Sequence, residues 1–291
     1  MKSIRVIMVV LSVLFLLSMR TAAQESTNNK TAYSVLNSAY FGQKPPGEKA
    51  EVFAPNILTI EPHDAPVILK DEELFIIGTM AEGIIFYKMS KGKLLKTNNP
   101  FGFDIPTICQ GITVSPSKNR LYIRDWNNGK PFFYSIDKKD SGWTSPKSLG
   151  EDVNSIDTHW QFTVSNNENL YFFSRGVGIV VSVFDGNTYL KPLPVKLEDN
   201  SILEAETPYI SPDESYLIFC KDDDLQISYK LNNGKWTIPQ NLGTDINSDR
   251  LDICPQISPN GKYLFFVSKR TGPDFVTYWV NTSFIEKLRL K

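Results

Sequence analysis

Acidic side chains recur along this chain with about the same period as a repeated phrase that is described below. They are Asp64, Asp104, Asp157, Glu204, Glu206 and Asp252. Carboxylates that converge on one opening can bind a cation, or serve as the paired acid and base of a glycosidase. The alternative is that these side chains cap turns and keep the rim of the opening hydrated, with no ligand. Because their distance from the serine of the phrase varies between 5 and 11 positions, we expect a candidate binding mouth, with no residue assigned to catalysis.

The chain has two histidines, His63 and His159. This number excludes a three-histidine metal site and disfavours zinc sites built on His and Cys, so we predict no metal and no cofactor. The densest polar and aromatic cluster is residues 157–161 (DTHWQ), in which His159 and Trp160 are further candidates for ligand contact. The alternative is a structural hydrogen bond between repeats.

Two other groups of residues invite a chemical interpretation. Asp222, Asp223 and Asp224 could suggest calcium, but calcium loops need spaced oxygens and a closing carboxylate, so we predict a solvated turn between strands. Cys109, Cys220 and Cys254 permit one disulfide at most. We interpret them as small buried residues of strands.

A phrase of about a dozen residues recurs through the chain. Its clear copies are residues 208–219 (PYISPDESYLIF) and 255–266 (PQISPNGKYLFF), and fainter copies cover 113–124, 163–174 and 66–78. The phrase positions are Leu69, Ser115, Ser165, Ser211 and Ser258, with spacings of 46, 50, 46 and 47 residues. A period of this length, with short strands and tight turns, is typical of a β-propeller.

A second phrase supports the same period. Residues 143–155 (WTSPKSLGEDVNS) and 236–248 (WTIPQNLGTDINS) agree at eight of thirteen positions. We interpret Trp143 and Trp236 as packing residues of the outer strands.

The fourth repeat illustrates the predicted four-stranded blade. Its strands are expected at 207–210, 216–220, 225–231 and 236–240. The last repeat lacks a copy of the tryptophan phrase, so residues 52–60 are predicted to supply its outer strand and close the ring. A short helical turn is expected at 283–291. The fold class is therefore all-β: a single propeller over residues 51–291, preceded by an extension at 24–50, with five blades expected and six as the alternative.

The first residues follow the pattern of a secretory signal peptide. A basic start, a 14-residue mostly apolar run over 6–19 and the small residues 21–23 predict cleavage after Ala23. The run is short for a membrane span, which needs roughly 20 residues; an uncleaved anchor is the alternative. The formal net charge of −1, which becomes more negative without the basic residues of 1–23, gives no reason to expect nucleic acid. We predict an exported protein, periplasmic or secreted.

Residues 211–219 (SPDESYLIF) and 258–266 (SPNGKYLFF) resemble the TolB-type, WD-like propeller repeat. That repeat occurs in periplasmic TolB and in the propellers of prolyl-oligopeptidase-type peptidases, and TolB-like members usually have six blades. The C-terminal stretch has no Gly-x-Ser-x-Gly elbow. The resemblance implies fold far more strongly than function, because the repeat serves many roles.

These observations favour a non-catalytic, monomeric binding or scaffold module whose partner is an envelope protein or a glycan held at a channel mouth. One rival hypothesis is a glycosidase-like enzyme that uses the mouth carboxylates. Another is a sensor or accessory subunit of a larger envelope complex.

Overall fold

A computed structural model describes residues 40, 43–55, 57–69, 74–79, 81–90, 93–102, 111–127, 130–140, 142–158 and 161–290. They belong to one compact unit, Leu36–Lys291. The predicted signal segment (1–23), Asp104, Cys109, His159 and Trp160 lie outside the described residues.

The described strands form five antiparallel sheets, and these are the blades of a five-bladed propeller. Blade 1 contains β2 to β5 (Val67–Leu69, Leu74–Thr79, Gly83–Ser90, Lys93–Thr97). Blade 2 contains β6 to β10 (Gly111–Val114, Arg120–Asn127, Lys130–Lys139, Gly142–Trp143, Lys147–Ser148). Blade 3 contains β11 to β14 (Phe162–Val164, Leu170–Ser174, Gly178–Ser182, Leu193–Pro194). Blade 4 contains β15 to β18 (Glu206–Ile210, Tyr216–Lys221, Asp224–Tyr229, Gln240–Asn241). Blade 5 contains β19 to β21 (Asp252–Ile257, Tyr263–Ser268, Val276–Asn281) together with β1 (Glu51–Val52).

The second strand is largely apolar in four of the five blades, β7 of blade 2 being the exception, because the sheet is covered on both faces by its neighbours. In β12, for example, all five residues are buried. The main apolar clusters lie between adjacent blades, as where Ile218 and Ile227 of blade 4 pack with Leu264 of blade 5. Each blade therefore buries its faces only when its neighbours are in place.

The serine of the repeated phrase holds the turn between the first and second strands. The Ser211 Oγ accepts a hydrogen bond from the Tyr216 N–H at 3.0 Å, and the Ser258 Oγ accepts one from the Tyr263 N–H at 3.0 Å. Ser115 and Ser165 accept equivalent bonds in their own blades. These serines are buried, which explains why the phrase recurs: the hydroxyl satisfies a donor that the turn would otherwise bury.

The innermost strands β2, β6, β11, β15 and β19 surround the central channel. Each of these strands begins at one end of the channel, called here the entry mouth, and ends at the other, called the exit mouth; β6, β11, β15 and β19 lead there into the serine turns. The hairpin at Asp222 and Asp223, between β16 and β17, also lies on the entry side. Both residues have left-handed backbone conformations, with φ of 55° and 65°, so they form a turn between strands, as predicted, while Asp224 already begins β17.

Strand β1 closes the ring by pairing with β21, with Glu51 opposite Trp279 and Val52 opposite Tyr278. The prediction of closure by the N-terminal segment is confirmed, although the strand is shorter than the expected 52–60. Beyond it, the Phe53 N–H donates to the Thr277 carbonyl at 2.8 Å, and the ring of Phe53 is buried. The chain then leaves the sheet to begin blade 1.

The outer strand of blade 4 begins later than the sequence predicts. It is β18 (Gln240–Asn241), whereas Trp236 makes isolated bridges to Lys230 and to Leu197 of the preceding blade. The indole of Trp236 is buried against Tyr171, with ring centroids 6.4 Å apart. Trp236 is thus a packing residue, as predicted, but it joins two blades.

Two short helices complete the described chain: α1 (Glu151–Asn154) and α2 (Ser283–Arg289). The second confirms the predicted helical turn at the C-terminal end. No helix in the described ranges is both long enough and apolar enough to span a membrane.

Candidate functional site

The structure distributes the predicted carboxylates over three environments on the entry side. Asp252 is buried in an ion pair, Asp64 belongs to a partly closed polar cluster, and Glu204 and Glu206 border an open cleft, with Asp157 exposed nearby. Glu206 and Asp252 are the first residues of their strands.

Asp252 is fully buried and fully engaged. Its Oδ1 forms an ion pair with Arg270 Nη2 at 2.8 Å, and its Oδ2 accepts hydrogen bonds from the N–H and hydroxyl of Ser248 at 2.6 and 2.9 Å. The Arg270 guanidinium in turn lies over the ring of Tyr278, 4.4 Å from its centroid. A carboxylate with these partners fixes the start of blade 5 and has little capacity left for a ligand.

Asp64 lies where blade 1 meets blade 5. Its Oδ2 is 3.0 Å from His63 Nδ1, and its Oδ1 accepts a hydrogen bond from the Cys254 thiol at 3.3 Å. Burial alone would raise the pKa of Asp64, but the charge and hydrogen bond of His63 outweigh it, so the pKa lies below its ordinary value. The same carboxylate raises the pKa of His63. The buried Arg124 of blade 2 adds positive charge to this group.

The neighbouring backbone is strained at two equivalent positions of the repeat. Thr207 in blade 4 and Cys254 in blade 5 have φ of 47° and 57°. Each lies at a β-bulge in its innermost strand. The Thr207 Oγ1 accepts a hydrogen bond from the Cys254 N–H at 3.2 Å, which joins the two bulges. Bulges with left-handed residues of this kind cluster at functional sites.

An open cleft of about 490 Å³ lies on the entry side beside blade 4. We call it the acidic cleft. Its rim carries Glu204, Glu206, Asp222 and Asp223, and its walls include Phe173, Val177 and Leu251. Lys221 is the basic residue among those that line it.

Gly178 allows the acidic cleft to form. Its φ is 112°, and a Cβ at this position would lie 2.4 Å from the Leu203 carbonyl oxygen and 2.9 Å from the Glu204 Cα. The segment that carries Glu204 can therefore press against the hairpin of blade 3 only because this residue has no side chain.

Charged neighbours affect the pKa and the pairing of the acidic residues at the cleft. The pKa of Glu206 is raised, chiefly by burial and also by the nearby Asp223, and the positive charge of Arg175 opposes the shift. Arg175 also forms an ion pair with Asp157, its Nε 3.0 Å from Oδ2. Asp157 is thus linked to the cleft through Arg175, and both side chains are largely exposed.

Cys220 borders the same cleft but is itself buried. Burial and the nearby Glu206 raise its pKa to about 12, so the thiol stays protonated and unreactive. Cys220 and Cys254 are both free thiols in strands, as predicted. Within the described ranges, no group of three or more His, Cys, Asp and Glu side chains has an arrangement suited to a metal ion.

Sequence reasoning missed Arg124, Arg175 and Cys254 as members of these groups. Arg175 directly follows a buried strand and precedes a turn that contains glycine. This pattern is present in the sequence and indicates a hairpin on the entry side. The burial of Arg124 has no comparable signal, because the residue follows an apolar run in the same way as exposed basic residues elsewhere.

Comparisons with known proteins support the architecture alone. No family model matches the chain, and no curated protein matches it. Among solved structures, a GH43 glycoside hydrolase is similar with a TM-score of 0.50 and 10% identity, over 80% of this chain and 52% of that one. TolB from Acinetobacter baumannii is similar with a TM-score of 0.45 and 16% identity, over 75% of this chain and 54% of that one.

A third similar structure, the periplasmic gluconolactonase PpgL from Pseudomonas aeruginosa, has a TM-score of 0.40 and 11% identity, over 73% of this chain and 66% of that one. The chain spans about half the length of the hydrolase and of the Acinetobacter TolB. TolB, glycosidase and lactonase propellers thus all occur among the similar structures, and the likeness to the hydrolase, at 10% identity, concerns the fold alone.

Proposed function

We propose that this chain is a non-catalytic binding or scaffold protein that engages its partner at the entry mouth, through the acidic cleft. The observation that carries the proposal is the contrast between the carboxylates. Asp252 and Asp64 are engaged with side-chain partners, whereas Glu204, Glu206, Asp222 and Asp223 surround an opening whose walls include Phe173 and Leu251. A concavity that combines apolar side chains with convergent charged groups is the usual form of a binding site.

The excess of negative charge defines the chemistry of the partner. A protein segment with a lysine or arginine beside an apolar residue would pair its cation with the rim and its apolar group with Phe173 and Leu251. A glycan with an amino group could be held in the same way.

We further propose that the protein is a monomer. We also propose that it is exported, which rests on the pattern of residues 1–23. Mass spectrometry of the mature N-terminus tests export, and an intact Met1 in envelope material would contradict cleavage after Ala23.

The binding test uses two matched peptides, acetyl-Gly-Leu-Lys-Leu-Gly-amide and its glutamate counterpart, titrated into the full chain at low salt. We expect saturable binding of the lysine peptide alone. The double variant Glu206→Gln/Asp223→Asn should weaken that binding at least tenfold, because it removes two rim charges; asparagine tolerates the left-handed conformation of Asp223. The control Glu151→Gln/Asp152→Asn removes two exposed charges on α1 and should leave the affinity unchanged.

Equal affinity for the two peptides, or equal affinity in the rim and control variants, would contradict the proposal. A panel of neutral and aminated glycans, tested with the same variants, distinguishes a glycan partner from a protein partner.

A second candidate function is hydrolysis of a glycan. It is favoured by one observation: Glu206 lies at the rim of an open cleft and burial raises its pKa, as expected of a general acid. An enzyme of this kind should lose turnover by roughly 100- to 10,000-fold in Glu206→Gln. Hydrolysis of any polysaccharide in the panel that disappears in this variant, at an unchanged melting temperature, would replace the binding proposal.

A further inference from the structure

The exit mouth carries a ring of apolar side chains, in which each blade supplies one side chain from the same position of the repeat. The residue just before each phrase position is β-branched in all five repeats: Ile68, Val114, Val164, Ile210 and Ile257. All five line a single cavity at the end of the channel. Because each belongs to the innermost strand of a different blade, the cavity lies on the axis of the propeller.

This cavity has a volume of about 320 Å³, roughly twice the ~150 Å³ apolar cavity that accommodates benzene in another protein. Between the cavity and the entry mouth, the Gln161 Nε2 of blade 3 donates a hydrogen bond to the Pro255 carbonyl of blade 5 at 2.5 Å. This bond spans two blades that are not adjacent, so it crosses the channel. The exit cavity is therefore a pocket with its own opening, distinct from the acidic cleft.

The polar groups of the exit cavity contrast with those of the entry side. No Asp or Glu is among the described residues that line it, and the charged residue among them is Lys118. Gln256 is only partly buried and lines the cavity beside the ring. Tyr209 and Tyr216 add aromatic walls, with ring centroids 6.4 Å apart. Any charged ligand loses hydration on burial; an anionic ligand can be compensated by the charge of Lys118, a cationic one meets the same sign of charge there, and a neutral one has no charge to desolvate.

We propose that the exit cavity is a binding site for a compact, largely apolar small molecule of about two fused rings that is neutral or anionic. The five-residue ring holds the apolar body of the ligand, and its polar end meets Gln256 and the rim of serine turns. Pockets of this size that combine apolar walls with convergent polar groups are the usual sites for such ligands. This site is independent of the partner proposed for the acidic cleft.

The test uses 2-naphthoate as the anionic probe, 2-naphthol as the neutral probe and 2-naphthylmethylamine as the cationic probe, each titrated into the full chain and followed by the fluorescence of the probe. We expect saturable binding of naphthoate and naphthol, and at least tenfold weaker binding of the amine. Val114 is the ring member that is only partly buried, so Val114→Phe should fill the cavity without disturbing the core. This variant should weaken naphthoate binding at least tenfold.

Gln256→Leu provides a second variant, which retains the volume and removes the amide; it should weaken naphthoate more than naphthol. The control is Glu206→Gln in the acidic cleft, which should leave naphthoate binding unchanged. Failure of both the anionic and the neutral probe to saturate would overturn the proposal, as would equal affinity in the wild type and in a folded Val114→Phe. Stronger binding of the amine would show that the ligand class is wrong.

Discussion

Glu214 joins blade 3 to blade 4 through a single carboxylate. Its Oε1 accepts a hydrogen bond from Asn169 Nδ2 at 2.7 Å, and its Oε2 accepts one from the Tyr171 hydroxyl at 3.1 Å. Lys230 forms an ion pair with the same group. Glu168 has the equivalent role in the preceding repeat, where it accepts a hydrogen bond from Tyr122 of blade 2. The repeat thus provides a recurrent position for a carboxylate between blades, although only its local turn is visible in the sequence.

The first prediction concerns the pH dependence of this contact. Burial alone would raise the pKa of Glu214, but hydrogen bonds from Lys230 and Asn169 outweigh it and hold the pKa below its ordinary value of 4.5. The unfolded chain therefore binds this proton more readily. The stability that Glu214 contributes is complete above about pH 4.5 and is lost as the pH falls through the lower pKa of the folded state.

We expect Glu214→Gln to destabilise the protein by about 1–3 kcal/mol at pH 7, since the charge-assisted hydrogen bonds are lost. The difference from wild type should shrink as the pH falls below about 4.5. Melting temperatures measured from pH 7 to pH 3 check this, with Glu286→Gln on the surface of α2 as the control. Wild-type and Glu214→Gln curves that stay parallel over the whole range would contradict it.

At the scale of the element, the serine turn needs one residue with a left-handed backbone. The residue three positions after the serine has a positive φ in four blades: Lys118 at 59°, Glu168 at 61°, Glu214 at 59° and Gly261 at 73°. Three of the four are not glycine. Other interactions, such as those of Glu214 across the blade interface, therefore compensate for the backbone strain at these positions.

Gly261→Ala should destabilise the protein by about 1 kcal/mol, because the backbone keeps its positive φ and alanine disfavours it. The matched control is Gly272→Ala in the same blade. Both positions have open space for a Cβ, but only Gly261 has a positive φ, so Gly272→Ala should be neutral or slightly stabilising. Chemical denaturation of the two variants decides the matter, and equal midpoints would show that the turn tolerates alanine.

The elements that the sequence predicts well are those with a strong local signal. The second strands have apolar runs, and the serine turns have Pro and Asn or Asp at fixed places. The outer strands are harder to locate because four of the five are only two residues long; β18 (Gln240–Asn241), for example, has no apolar alternation to mark it.

The candidate site is only partly predictable from the sequence. Acidic residues on the entry side follow from the repeat, and Glu204 and Glu206 do border a cleft there. Which of them stay accessible depends on side-chain partners distant in sequence, such as Arg270 for Asp252 and Cys254 of blade 5 for Asp64. The space itself depends on the contact between Gly178 and Leu203. No local pattern encodes these pairings.

At the scale of the whole molecule, stability depends on closure of the ring. Phe53 directly follows β1, and its ring lies 4.9 Å from that of Phe265 and 5.1 Å from that of Trp279, centroid to centroid. We expect Phe53→Ala to cost about 3–5 kcal/mol and to lower the melting temperature by about 10 °C. Leu193→Ala, at a residue that is 64% exposed, is the control and should change little. A melting temperature for Phe53→Ala that matches the control would show that closure relies on other contacts.

The pairing of β1 with β21 also sets an order of assembly. Glu51 is made well before its partner Trp279, because the other four blades lie between them in the sequence. Contacts so distant in sequence form slowly, since a long loop must close first. Until then, the free edge of β21 can pair with another chain. A newly made chain is therefore most prone to aggregate in the interval between synthesis of β21 and capture of β1. Any factor that shields this edge during that interval would raise the yield of folded protein without changing its final stability.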